Sequence, residues 1–449
     1  MFRRITACLS LLSLVLVSLA PLSTFAAPAN KQNNRQQGRG FKKLAPEFDA
    51  ASNSTATVRV LIQTKGQPSA THDDALANAH GKKQATYAAL NTLVAEVPAN
   101  TVASLALRSD VDYISPDRPV KSEANLTNDT IGATQAQAGP GASGLSGKGV
   151  GIAILDSGIS ANHPDFAGTN GKSRVIASVD FTGSSRKGDA DGHGTGVAGV
   201  AAGNGAASKG YEANYAGVAP GASLIDVRVL DENGLSDEFS ILAAMQFVNY
   251  LNTNSEHLTL HGVNLSLSIR HKVKNFACGC TPVCEEAERL VSAGLIVVAA
   301  AGNDGYLESE LGGGFSEGYR SISITDPGNA QGVITVGATH RDSPHTYGVS
   351  YFSSRGPTGD GRIKPDLVAP GEKITSTVPE IGLKAMDGTS MAAPHVSGAA
   401  ALLIARYREL IGRPARVKQI LCDTATDLGR ERYFQGSGMV DILRAMQSV

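Results

Sequence analysis

The sequence is poor in the features that mark extended, fibrous or membrane-embedded chains. Its 449 residues include only 19 prolines, and its 50 glycines follow no Gly-X-Y period, which excludes collagen-like and proline-rich architectures. Neither sign of charge is in excess: 40 Lys and Arg stand against 41 Asp and Glu, a formal charge of −1. Nothing electrostatic therefore points to nucleic acid or an anionic membrane as a partner. Beyond the N-terminus, no stretch approaches the ~20 apolar residues that a bilayer span needs. Cysteine is also scarce, five in all.

What is present is globular. Hydrophobic residues make up 42% and charged ones 18%, and a length of 449 suggests two or three folded units at ~150 residues each. The charge is unevenly spread. Residues 1–120 hold 13 Lys and Arg against 8 Asp and Glu, a balance of +5, which leaves 27 against 33, or −6, for the remainder. At the N-terminus, Arg3 and Arg4 precede an apolar run from Cys8 to Ala20, followed by the small residues Thr24 and Ala26. This is the pattern of a secretory signal peptide over residues 1–26, so the mature protein is expected outside the cytoplasm, extracellular or periplasmic, and free of the membrane. Removal of that segment leaves Cys278, Cys280, Cys284 and Cys422. In an oxidising compartment they are expected to form one or two disulfides, with the connectivity open. A zinc site competes poorly, because paired Cys-x-x-Cys spacing and nearby histidines are missing.

Residues 27–56 are polar and read as a linker. From Thr57 the pattern changes to a strand at 57–65, a helix at 71–81, one or two strands within 86–98, a short helix at 100–107 and a strand at 110–116. This β-α-β-β-α-β order over residues 57–120 suggests a small α+β unit of ferredoxin-like type. A second unit, residues 125–449, repeats an apolar run, a Gly-rich turn and a helical stretch. Its runs fall at 149–156, 174–181, 222–230, 262–268, 294–301 and 332–338. Continuous apolar strands alternating with helices imply a doubly wound, parallel α/β sheet covered on both faces, with the functional site beyond the carboxyl ends of the strands.

Four segments at such ends carry chemistry. GIAILDSGIS ends a strand in Asp156, DADGHGTGVAG places His193 at the start of a helix, AAAGNDG ends a strand in Asn303, and MDGTSMAAPHVSG places Ser390 at the start of a long apolar helix. A serine hydroxyl needs a base to take its proton, and the base needs a carboxylate to fix its tautomer. Asp156, His193 and Ser390 supply that set, while Asn303 and the helix start offer donors to a developing oxyanion. An unperturbed imidazole titrates near ~6.5, so activity is expected to rise through about pH 6–7.5.

These segments, with VAPGASLIDVRVL, NLSLS, FSSRGP and KPDLVAPG, resemble the subtilisin-like serine proteases over about residues 149–446. The resemblance implies a secreted endopeptidase of broad specificity acting on protein or peptide substrates, with the triad Asp156, His193 and Ser390 and the oxyanion donor Asn303. It implies substrate contacts at Gly234, at Ser266, Leu267 and Ser268, and at Ala300, Ala301 and Gly302, walls without a buried charge that suit an apolar side chain before the cut. Glu238 is placed near a more distant subsite where basic side chains are favoured. The chemistry requires no cofactor, but Asp165 matches a position that ligates a structural calcium in the family. The 57–120 unit resembles the family's inhibitory propeptide, cut by the enzyme itself between about Val120 and Thr130, and the product is expected to be a monomer. The sequence departs from the family at Gly196, where a second histidine is common, and at Ser268, where a glycine commonly ends the triplet. An α/β-hydrolase esterase is excluded, because the serine context is Gly388-Thr389-Ser390-Met391-Ala392 and only His395 follows it. A catalytically silent binding protein on the same fold is the remaining alternative, and it predicts damage at a triad position that the sequence does not carry.

Overall fold

A computed structural model describes residues 43–45, 48, 54–117, 126–138, 144–184, 188–211, 213–255, 259–270, 278–311 and 314–449. The expected signal peptide, most of the linker and residues 118–125 of the expected cleavage segment lie outside these. The chain divides into two units between Val120 and Lys121.

In the first unit, β1 (Thr57–Thr64), α1 (Ala70–Asn78), β2 (Lys82–Tyr87), β3 (Thr92–Pro98), α2 (Val102–Ala106) and β4 (Val111–Pro116) follow the order read from the sequence. The strands form one antiparallel sheet in the order β2-β3-β1-β4. Alternation explains the packing: Val60 and Ile62 of β1 and Ile114 of β4 point to one side, where they meet Leu76 of α1 and Val102 and Leu105 of α2 in a small core.

In the second unit the sheet strands are β5 (Gly151–Asp156), β6 (Val175–Asp180), β7 (Ser223–Arg228), β8 (Gly262–Leu265), β9 (Ile296–Ala300), then, after a hairpin of β10 (Tyr306–Leu311) and β11 (Gly314–Tyr319), β12 (Ile334–His340) and β13 (Leu367–Glu372). A last hairpin, β14 (Ile374–Val378) and β15 (Gly382–Met386), follows. Seven strands form a parallel sheet in the order β13-β12-β9-β8-β5-β7-β6. The helices α3 (His193–Ala202) and α6 (Thr389–Arg406) cover one face, and α4 (Glu238–Thr253) and α5 (Pro282–Ser292) cover the other, each within its own apolar cluster. Every residue of β5 is buried, as expected of a strand covered on both faces. The six expected runs all appear as strands. The seventh, β13, contains Pro370 and is tolerated because it sits at the sheet edge, where a missing N–H costs no ladder bond. The other edge, β6, is largely exposed, so its run is not covered on both faces.

The crossovers are consistent with a strand order that reverses around β5, and Asp156, the end of β5, lies there. That is where a doubly wound sheet opens a crevice beyond its carboxyl ends.

Candidate active site

Asp156 is fully buried, and its Oδ1 accepts the N–H of Ser157 at 2.8 Å. The same oxygen lies 2.7 Å from Nδ1 of His193. Close approach of the two segments is possible because position 194 is glycine. A Cβ there would stand 2.2 Å from the carbonyl oxygen of Gly158 and 3.1 Å from Cβ of Asp156. Gly192, with φ of 92°, makes the left-handed turn that starts α3.

A second buried carboxylate holds this turn, and sequence reasoning missed it. Asp189 accepts from Ser157 Oγ at 2.8 Å and from the backbone N–H groups of Gly192 and Thr195, also at 2.8 Å. Ser157 Oγ in turn accepts from the N–H of Gly194 at 2.9 Å. The strand end carrying Asp156 and the helix start carrying His193 are thus stitched together through one serine and one aspartate. Asp189 stands inside the DADGHGTG segment, and its position shortly before a helix start was the available signal.

The imidazole of His193 differs from the sequence expectation. Partial burial works to lower its pKa, but the charge and hydrogen bond of Asp156, with further help from Asp191 and Asp189, raise it to about 9. The side chain keeps 29% of its surface open, enough for a reacting group to reach Nε2.

Ser390 is the second residue of α6, where backbone N–H groups have no intrahelical acceptor. Its own carbonyl is free as well. In a regular helix that oxygen would accept from residue 394, which is Pro394 and has no N–H. Ser266 Oγ fills the vacancy at 2.7 Å, and Ser266 is held by Asn264 Nδ2 at 2.9 Å, itself fixed by Ser397 Oγ at 2.8 Å. Ser266 therefore spends its hydroxyl on anchoring α6 to β8. The oxygen of Asn303 accepts from Thr389 N at 2.9 Å and Thr389 Oγ1 at 3.1 Å, while Thr389 Oγ1 accepts from the N–H of Gly302 at 3.1 Å. A backbone N–H can only donate, so the Asn303 oxygen is fixed inward and its Nδ2 is turned away as a donor. Thr389 is a further residue that sequence reasoning did not single out.

His193 and Ser390 line one groove of about 490 Å³ together with Gly234, Glu238, Ser266, Leu267 and Ser268. No hydrogen bond joins Ser390 Oγ to His193 among the described residues, which is common before substrate tightens such a site. Ala300, Ala301 and Gly302, which precede Asn303, are buried and do not line that groove. Ser266, Leu267 and Ser268 line the groove, and the cavity that Thr325 lines beside Gly302 is not apolar throughout, since Arg270, Asp304 and Arg320 line it too. A second recess of about 960 Å³ lies on the other side of His193, lined in part by Lys384, Met386, Asp387 and Met391. The departure at Gly196 has a packing reason, since a Cβ there would stand 2.4 Å from the terminal methyl of Met386.

Asp165 does not line this groove, and its surroundings do not fit a calcium ligand. It is fully buried, its Oδ1 accepts the N–H of Ala207 at 2.7 Å, and its Oδ2 accepts from Thr377 Oγ1. Both oxygens are satisfied by protein donors, and among the described residues no group of three or more acidic, histidine or cysteine side chains is placed to hold a metal. Among the described residues Cys278, Cys280, Cys284 and Cys422 are free thiols, so the expected disulfides are not formed in this structure. Cys278 and Cys280 bring their sulfurs to 3.3 Å, while Cys284 is buried and Cys422 half-buried.

Comparison with known proteins identifies the family. Residues 147–439 match the model of the subtilase family. Subtilisin E of Bacillus subtilis (strain 168) is 30% identical over 402 residues, covering 89% of this chain and 93% of that protein. The serine protease AprX of the same organism is 34% identical over 298 residues, 62% of this chain and 61% of its own length. A solved structure, the CspB protease of Clostridium perfringens, shares the fold with a TM-score of 0.59 at 22% identity, over 72% of this chain and 99% of its own. Among the described residues no helix is long and apolar enough to cross a membrane. The chain belongs to the subtilase family and is a serine endopeptidase.

Proposed function

We propose that this chain is a secreted endopeptidase of broad specificity that cuts protein and peptide substrates through Asp156, His193 and Ser390, made as a zymogen whose 57–120 unit inhibits it until removed, and active as a monomer. The observation that carries the catalytic part is the 2.7 Å contact between His193 Nδ1 and the buried Asp156. It leaves Nε2 as the free, basic nitrogen of the ring.

In the reaction, Ser390 Oγ attacks the scissile carbonyl carbon as its proton passes to His193 Nε2. Asp156 holds the Nδ1–H and stabilises the imidazolium. The carbonyl oxygen, now negative, receives N–H bonds from Asn303 Nδ2 and the backbone of Ser390. Collapse expels the amine, which takes the proton from Nε2, and leaves Ser390 acylated. A water then loses its proton to His193, attacks the ester, and the acid product leaves as Ser390 regains its proton. Along the groove, Asp191, Asp237 and Glu238 supply negative charge that favours basic side chains away from the cut, in keeping with the reading of Glu238.

The test is purified wild-type chain beside Ser390→Ala on an unfolded protein, with products sequenced by mass spectrometry. Cleavage by wild type alone is expected, and equal cleavage by both would overturn the assignment of the nucleophile.

A further inference from the structure

Behind the two walls that flank the approach to Ser390 lies a separate cavity of about 100 Å³, lined by Arg270, Asp304, Arg320 and residues 322–325. Two of these residues grow out of the walls themselves. Arg270 continues the segment Ser266–Ser268 and also lines the groove of Ser390, and Asp304 follows Asn303. Their side chains join the walls in a two-pronged ion pair, Nε to Oδ2 at 3.0 Å and Nη2 to Oδ1 at 2.7 Å. The cavity begins directly behind the other wall. Thr325 donates its N–H to Ala301 O at 3.0 Å, and a Cβ on Gly302 would stand 2.6 Å from Thr325 Oγ1.

The far side is held rigidly. The N–H of Arg320 donates to Gly305 O at 2.9 Å, Ser323 Oγ donates to Arg320 O at 3.1 Å, and the N–H of Ser323 donates to Arg355 O at 2.9 Å. Between them Ile322 adopts φ of 54°, a left-handed conformation that is unfavourable for a β-branched residue and persists only where its surroundings impose it. Such strain marks a segment shaped for something other than stability.

The charges in this cavity do not cancel. Asp304 is engaged by Arg270, whereas the guanidinium of Arg320 is exposed and has no carboxylate or hydrogen-bond partner among the described residues. Two cations and one anion leave a balance of +1. A guanidinium fork matches a carboxylate in two-point geometry, and a basic side chain entering here would face Arg320 and compete with Arg270 for Asp304. A broad ring would have to part the bridge between the walls.

We infer that this cavity receives the substrate side chain immediately before the cleaved bond and that Arg320 makes it selective for acidic residues, glutamate foremost. Glutamate is preferred over aspartate by its extra methylene, which carries the carboxylate further past the walls. The inference rests on the protease reading of the site and names a substrate class for it. It replaces the apolar preference expected at that position, leaving breadth to the other subsites.

Peptides identical except at that residue, carrying Glu, Gln, Asp, Phe or Lys, are the probe, with the purified full chain as enzyme and Ser390→Ala as control. Glu and Gln have nearly the same shape, so their ratio isolates charge. We expect kcat/KM for Glu to exceed that for Gln by about tenfold or more, the rate equivalent of one charge-assisted hydrogen bond, and the ratio to shrink in high salt. Arg320→Ala should bring the Glu/Gln ratio to near one, and Arg320→Glu should turn the preference toward Lys. A wild-type Glu/Gln ratio at or below one overturns the inference even if neither variant folds. In that event cleavage of any of the peptides leaves the protease reading standing. Failure of wild type to cut any peptide or unfolded protein would remove that reading and the inference together.

Discussion

Nδ1 of His193 lies 2.7 Å from Oδ1 of Asp156, a carboxylate with no exposed surface. A negative charge sealed away from water stabilises the imidazolium beside it and lifts the pKa of His193 to about 9. Catalysis needs the neutral base, so the sign is fixed: raising the pKa moves the rising limb of the pH profile upward. kcat/KM is expected to climb through the neutral range and level off only toward about pH 9. Asp156→Asn should lower kcat by about 10⁴ and return the limb toward ~6.5. A wild-type profile already flat by pH 7 would show that Asp156 does not exert this influence.

Asn303 is oriented by Thr389, which donates to its oxygen from both backbone and side chain. Removing one oxyanion donor costs about 10²–10³ in kcat, a magnitude that comes from this same family. Asn303→Ala should show that loss with KM little changed. Thr389→Val keeps the shape and the N–H bond but lets the amide rotate, so a smaller fall in kcat is expected, with Thr389→Ser restoring activity. A loss confined to KM in either variant would place these residues in substrate binding instead.

Much of this arrangement was legible in the sequence, and what was not has a common cause. Asp156, His193, Asn303 and Ser390 each sit at a strand end or helix start within an extended local pattern. The six apolar runs are equally local. Strand β13 was hidden because Pro370 interrupts it, and only its place at the sheet edge makes that harmless. Asp189 and Thr389 act through partners, the former on Ser157 32 residues earlier and the latter on Asn303 86 residues earlier. The charge behind the substrate walls was missed for the same reason, since Arg270 and Arg320 lie 50 positions apart in sequence and meet only in the fold. Asp165 shows the converse, a residue type at a familiar position whose oxygens are already taken by Ala207 and Thr377.

That occupancy sets a stability prediction. Asp165 Oδ1 and Oδ2 accept two buried hydrogen bonds, and its charge also faces Arg174, whose pKa burial lowers to about 10 against the pull of Asp165. Asp165→Asn should destabilise by roughly 1.5–3 kcal/mol, the range for hydrogen bonds to a charged group. The loss should be the same with calcium or with a chelator, measured by denaturant unfolding in a Ser390→Ala background to prevent self-digestion. A calcium-dependent difference between the two proteins would restore a metal role for Asp165.

Asp226 offers a pH-dependent counterpart. It is buried on β7, one of its oxygens lacks a partner among the described residues, and burial pushes its pKa up to about 7 against the lowering influence of Ser178 and the Ile159 N–H. The unfolded chain ionises this group near 3.8, the folded one near 7. Unfolding thus releases a proton between those values, and stability falls as pH rises through that window. Asp226→Asn should be more stable than the parent at pH 8, with the advantage shrinking toward pH 4. Equal differences at pH 8 and pH 4, in the same Ser390→Ala background, would show that ionisation of Asp226 is not the cause.

The last prediction concerns removal of the 57–120 unit. If Ser390 cuts its own chain between about Val120 and Thr130, the reacting bond is tethered to the nucleophile and its rate does not depend on collision between molecules. Tethering raises the effective concentration of the bond far above any protein concentration used in solution. The fraction processed at a given time should therefore be the same over a hundredfold dilution of freshly refolded wild type. Ser390→Ala, purified without other proteases, should remain one uncut chain. A cut by the enzyme on neighbouring molecules would slow in proportion to dilution, and added wild type would then process Ser390→Ala. Processing of isolated Ser390→Ala at the same bond and rate would show that the chain does not cut itself, whatever its activity on other proteins.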